Sequence, residues 1–211
     1  MAFSIMLDYN YIYNHCIPSG LMAGAKNGHL EKTRRDDRIV EYNDLIAVSQ
    51  FLINEKYTSA GKIHATAGSA GGIALGMAVN AHPELFGSLT FISSKLDVIH
   101  ELDSIKNKND WQENGNPHVK EEFEYMLSYS PYQNVKKQVY PPIQFILGLK
   151  DTNVPPYETL KMAAKLMDNQ TGSVPVYLSV DMEGDHHLPL NSDIMVPPYI
   201  FKIAVDKNIL P

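Results

Sequence analysis

The stretch IHATAGSAGGIALGMAVN, Ile63 to Asn80, decides how the fold is read. It opens with the alternation of a strand, passes through a run of small residues, and continues as an apolar run long enough for several helical turns. Ser69 stands at the bend. Taken alone it reads in two ways: as a nucleophile held up on a strained turn, or as one of the small residues that any close strand-to-helix connection needs.

The same rhythm repeats outward in both directions. A short helix is predicted at the N-terminus, then a strand over Tyr9 to Asn14. EYNDLIAVSQFLINEK, Glu41 to Lys56, reads as a helix with Leu45, Ile46, Val48, Phe51 and Leu52 on one face. Ile63 to Ala67 is a strand, Ala70 to Ala81 a helix, Ser88 to Ser93 a strand and Glu121 to Ser128 a helix. PPIQFILGL, Pro141 to Leu149, is the continuous apolar run of a buried parallel strand. A helix over Tyr157 to Met167, a strand within SVPVYLSVDM and a closing helix over Val196 to Val205 complete the series. The polar, turn-rich segment Asn107 to Lys120 reads as an excursion over the sheet's top edge. Strands separated by helices imply right-handed crossovers, so the expected fold is α/β: one domain over residues 1–211, with a mainly parallel sheet covered by helices on both faces.

Bulk composition bounds the function. A formal charge of −6 lacks the clustered cations that phosphate binding requires, so neither nucleic acid nor an anionic membrane is an expected partner. The one basic cluster, KTRR at Lys32 to Arg35, is followed at once by Asp36 and Asp37 and reads as a solvated segment. The single cysteine, Cys16, cannot form an internal disulfide and reads as a structural thiol. Neither a signal sequence nor a membrane span is apparent, and a cytoplasmic location is expected.

Ligands of such sheets gather at the carboxyl ends of the strands. Three loops meet there: Gly68 to Gly71, Lys150 to Val154 and Glu183 to Leu188. They contain Ser69, Asp151 and the pair His186 and His187. A serine hydroxyl is a weak nucleophile until a base takes its proton, and the base works best when a carboxylate fixes its tautomer. Serine, acid and histidine, each directly after a strand and in that order, give the chain order of an α/β-hydrolase. The residue pattern around the bend is A-x-S-x-G, with Ala67 where G-x-S-x-G has glycine. The backbone N–H of Ala70, at the start of a helix, is the expected oxyanion donor. Each element also has a plainer reading: Asp151 as a turn opener and helix cap, EGDHH as a surface loop. No metal site is expected, because no further ligand falls at the right spacing, and no cofactor is implied. His15, His29, His64, His82, His100 and His118 are scattered and read as structural or solvated.

GSAGG at Gly68 to Gly72, the run from Asn114 to Val154, and VDMEGDHH at Val180 to His187 resemble the catalytic domain of prolyl oligopeptidase family serine peptidases, with the oligopeptidase B (protease II) branch the nearest in pattern. The resemblance implies an α/β-hydrolase fold with Ser69 as nucleophile, Asp151 as orienting acid and His186 as base, His187 being the alternate. It departs at Asp185, where the family has glycine, and between Pro18 and Asp37. Oligopeptidase B cleaves short peptides after Lys or Arg, and the resemblance puts Glu113 where the family has an S1 carboxylate. A guanidinium pairs well with such a group; a solvated loop glutamate is the plainer reading. Family members carry a β-propeller and further sheet strands ahead of the matching region. The expectation here is therefore a hydrolase domain truncated at its N-terminal side, lacking the propeller and the family's oxyanion tyrosine. Two functions follow: a hydrolase of short basic peptides or esters, or a weakly active remnant that binds or assembles with another chain. An exposed sheet edge favours a homo-oligomer or a complementing chain.

Overall fold

The computed structural model describes residues 3–6, 13–16, 38–100, 111, 114–174, 176–187 and 198–208. Among the described residues six strands form one sheet: β1 (Phe3–Met6), β2 (Tyr13–Cys16), β3 (Ile63–Gly68), β4 (Phe86–Ile92), β5 (Ile143–Gly148) and β6 (Val176–Asp181), in the order β2-β1-β3-β4-β5-β6. The helices are α1 (Arg38–Asn54), α2 (Gly71–Ala81), α3 (Lys120–Tyr129), α4 (Pro156–Asn169) and α5 (Pro198–Asp206). From β3 to β6 every pairing is parallel. β1 runs antiparallel to both β2 and β3.

The N-terminal expectation needs correction. Phe3–Met6 is a strand, not a helix, because pairing with Ala65 and its neighbours satisfies a backbone too short to make a stable helix. The next strand begins at Tyr13, later than the predicted Tyr9. Sequence pattern places the later elements within a few residues of where they lie.

Strand alternation builds the core. Ile63, Ala65 and Ala67 of β3, Leu89 and Phe91 of β4, and Ile143 and Phe145 of β5 share one face with residues of α1, α2 and α4. The Phe91 and Phe145 rings stack with centroids 5.2 Å apart. α2 is buried from Gly71 to Asn80, as an apolar-all-round helix must be. α1 corrects the sequence reading: its buried stripe advances through Arg38, Glu41, Leu45, Ser49 and Leu52. Phe51 falls off that stripe, is 57% exposed, and rests its ring near Tyr57. Ser49 can occupy the stripe because its hydroxyl donates to the Leu45 carbonyl at 2.8 Å.

The opposite sheet face is polar beneath α5. His64 Nδ1 lies 2.7 Å from Ser88 Oγ and its Nε2 3.2 Å from Thr66 Oγ1, while Thr90 donates to Gln144 Oε1 at 3.2 Å. Phe201 of α5 meets the His64 ring edge-on. Burial, with the Lys202 ammonium as a second cause, lowers the His64 pKa from 6.5 to about 3, so the imidazole is neutral in the folded chain.

Candidate active site

The first loop grows directly from β3. Ser69 follows Gly68 with φ of 50°, a left-handed conformation costly for a residue with a Cβ. Its backbone is held on both sides: its N–H donates to Ile92 O at 3.0 Å, and its carbonyl accepts from Gly72 N at 3.1 Å and Lys95 N at 2.9 Å. The exit of β4 thus clamps the bend. This contact explains the small residues, since a Cβ on Gly72 would stand 2.5 Å from Ser94 Cβ and 2.8 Å from the Lys95 carbonyl. Ala67 needs no such economy. Its methyl is absorbed in the main core. Directly after Ser69, Ala70 stands at the N-cap of α2, where unbonded N–H groups and the helix dipole favour a developing negative charge.

The second loop leaves β5. The side chain of Asp151 is only 2% exposed, and its Oδ1 accepts from the N–H groups of Asn153 and Val154, each at 2.8 Å. The plainer reading of this residue is therefore correct as to the turn but not as to the helix, because α4 begins behind Pro155 with no side-chain cap. Asp151 Oδ2 remains for another partner.

The third loop supplies it. His186 Nδ1 lies 2.8 Å from Asp151 Oδ2, and His186 Nε2 lies 3.1 Å from Ser69 Oγ. Residues separated by 117 positions thus form one hydrogen-bonded chain at the carboxyl ends of β3, β5 and β6. His187 is exposed, its N–H donating to Asp185 Oδ1 at 2.8 Å and its ring edge-on to His186. The structure brings His186, rather than His187, between acid and serine. Asp185 points into solvent, so its replacing a glycine obstructs nothing.

Sequence reading missed what shapes this loop. Asp181 Oδ1 accepts from both Glu183 N and Gly184 N at 3.0 Å, turning the chain tightly. The Gly184 carbonyl then accepts from Lys150 N at 2.9 Å, tying histidine loop to acid loop. A Cβ on Gly148 would lie 2.3 Å from that carbonyl, so glycine is required there. The signal was present in D-M-E-G, an aspartate turn after a strand. The β4 clamp had no comparable signal.

Glu113 lies outside the described residues. Its neighbour Asn114 is buried, accepts from Arg38 Nη2 at 2.9 Å, and offers its carbonyl to the Tyr129 hydroxyl at 2.8 Å. The expected excursion is not wholly irregular: Gly115 N donates to Trp111 O at 2.8 Å across a helical turn.

Comparison with known proteins identifies the family. A profile of the prolyl oligopeptidase family matches residues 6–195. Dipeptidyl aminopeptidase BI of Pseudoxanthomonas mexicana is 34% identical over 71% of this chain and 21% of its own length. Protease 2 of Moraxella lacunata is 31% identical over 75% of this chain and 24% of its own. The solved structure of oligopeptidase B from Leishmania major superposes with a TM-score of 0.67 at 33% identity, over 79% of this chain and 23% of that one. The chain thus spans about a quarter of the length of the relatives it matches. Among the described residues, no helix is long and apolar enough to cross a membrane.

Proposed function

The chain belongs to the prolyl oligopeptidase family of serine peptidases, and from that premise we propose that it is a hydrolase of short peptides, or of esters, cleaving after basic residues. Ser69 is the nucleophile, His186 the general base and then general acid, and Asp151 the orienting carboxylate. The observation that carries this reading is the continuous contact from Asp151 Oδ2 through His186 to Ser69 Oγ, at 2.8 and 3.1 Å.

The chemistry follows from who donates to whom. Asp151 accepts the Nδ1 proton of His186, which leaves Nε2 as a lone pair facing Ser69 Oγ. As Oγ attacks the substrate carbonyl, its proton passes to Nε2. The imidazolium so formed is stabilised by a carboxylate whose other oxygen is already held by two backbone N–H groups. Charge developing on the carbonyl oxygen meets the Ala70 N–H at the head of α2. Collapse returns the Nε2 proton to the leaving amine or alcohol, and water repeats the sequence on the acyl-enzyme. Glu113 is the proposed S1 carboxylate for an arginine or lysine side chain. The sequence resemblance to oligopeptidase B is what supports that choice. The chain acts in this reading as a single hydrolase domain.

A fluorophosphonate probe tests the nucleophile: stoichiometric labelling that vanishes in Ser69→Ala is expected, and folded wild type that takes no label would overturn the proposal. For specificity, arginyl and phenylalanyl esters are compared in wild type and Glu113→Gln. The arginine preference should fall by roughly tenfold or more with loss of the charged partner; an unchanged preference removes Glu113 from S1.

A further inference from the structure

β6 closes the sheet on one side, and among the described residues no strand pairs with its outer edge. Leu149 N donates to Asp181 O, so the backbone groups of Asp181, and by alternation those of Ser179 and Tyr177, face β5. Those of Val176, Leu178 and Val180 therefore face outward. Such a row of free N–H and C=O groups is a template for another strand, and natural edges are usually blunted by lysine, proline or a bulge. β6 has none of these within its span, and Leu178 on it is 41% exposed.

The helix beside it is apolar on the same side. Lys161 and Lys165 of α4 lie 4.8 and 4.3 Å from the centroid of the Tyr132 ring, and Lys161 also pairs with Asp97, so that flank of the helix faces the segment that follows β4. Leu160, Ala164 and Met167 project from the other flank, toward the sheet edge, with Leu160 40% and Met167 54% exposed. Leu178 stands on this helix-covered face too, since it is in register with Phe145 of the core. A free strand edge and an apolar helix flank thus adjoin, the combination that marks an interaction surface.

We infer that this surface takes a second copy of the same chain, joined by antiparallel β6–β6 pairing about a two-fold axis. The sequence of β6 is complementary to itself in that arrangement. With the axis at Leu178, the pairs are Leu178 with Leu178, Val176 with Val180 and Tyr177 with Ser179. Every pair on the α4 face is apolar, and the two helix flanks meet across the axis. Asp181, the only charged residue of β6, falls opposite residue 175, outside the partner strand, so no like charges face each other.

Analytical ultracentrifugation of the full chain over a concentration series tests the inference. The expected species is a dimer. Leu178→Lys puts two ammonium groups face to face on the axis and should weaken association by about a hundredfold or more. The double variant Leu160→Glu, Met167→Glu should weaken it without touching the strand, whereas Phe51→Glu, on α1, should not. Near-UV circular dichroism establishes that each variant is folded. A monomeric wild type, or a dimer that both edge variants leave intact, overturns the inference. The readout is mass alone, so it stands or falls apart from the proposed hydrolysis.

Discussion

Three side chains and the backbone around them carry the proposed chemistry, and their contributions separate experimentally. Asp151→Asn keeps the shape but offers an N–H where His186 Nδ1 needs an acceptor. It should lower kcat by about 10⁴, with little change in thermal midpoint. His187→Ala should leave kcat within about twofold, because that ring is exposed and reaches neither serine nor acid. Steady-state ester hydrolysis reads both. The two histidines are adjacent and chemically identical, so residue type could not choose between them. What separates them is the turn made by Asp181 and the tie from Lys150 to Gly184, which together aim position 186 inward.

At the scale of elements, the site depends on close approaches that tolerate no side chain. Gly72→Ala would drive a methyl into Ser94 and the Lys95 carbonyl and should cost about 1–3 kcal/mol in chemical denaturation. Because the same clamp holds the Ser69 backbone, the rate of fluorophosphonate labelling should fall as well. Gly148→Ala meets the Gly184 carbonyl instead and should displace the histidine loop, lowering kcat while the nucleophile bend stays intact. Strand and helix positions were legible in the sequence because burial forces periods of two and about 3.6 on the side chains. The stripe of α1 was less so. Arg38, Glu41 and Ser49 lie buried on it because each has a polar partner, and hydrophobicity alone could not reveal those partners. Phe51, more apolar than any of the three, is left outside.

For the molecule as a whole, buried titratable groups set the response to acid. His64 is neutral when folded, with its pKa lowered from 6.5 to about 3 by burial and by Lys202, so the unfolded chain binds the extra proton. Its contribution to stability is complete above pH 6.5 and is lost as pH falls toward about 3, by up to roughly 1.4 kcal/mol per pH unit. Burial opposes the charge on Asp97, yet hydrogen bonds from Lys161, Gln133 and the His100 amide outweigh it and hold its pKa below the ordinary 3.8. Stability from Asp97 is therefore present above that value and also lost on acidification. Both act in one direction, so urea midpoints should fall steadily from pH 6.5 downward, and His64→Gln should flatten the decline between about pH 6 and 4. Neither group could be identified from sequence, where His64 is one of eight histidines with nothing to mark it. By itself the sequence determined the alternation of strands and helices from α1 onward, the sharp bend at Ser69 and the order of serine, acid and histidine, because these follow from local pattern and from how parallel strands must be connected. Only the tertiary structure decided which histidine meets the acid, which loop clamps the bend, which polar residues are buried and which sheet edge is left apolar. Those depend on contacts between residues distant in the chain, and such contacts exist only once the sheet has brought its strand ends together.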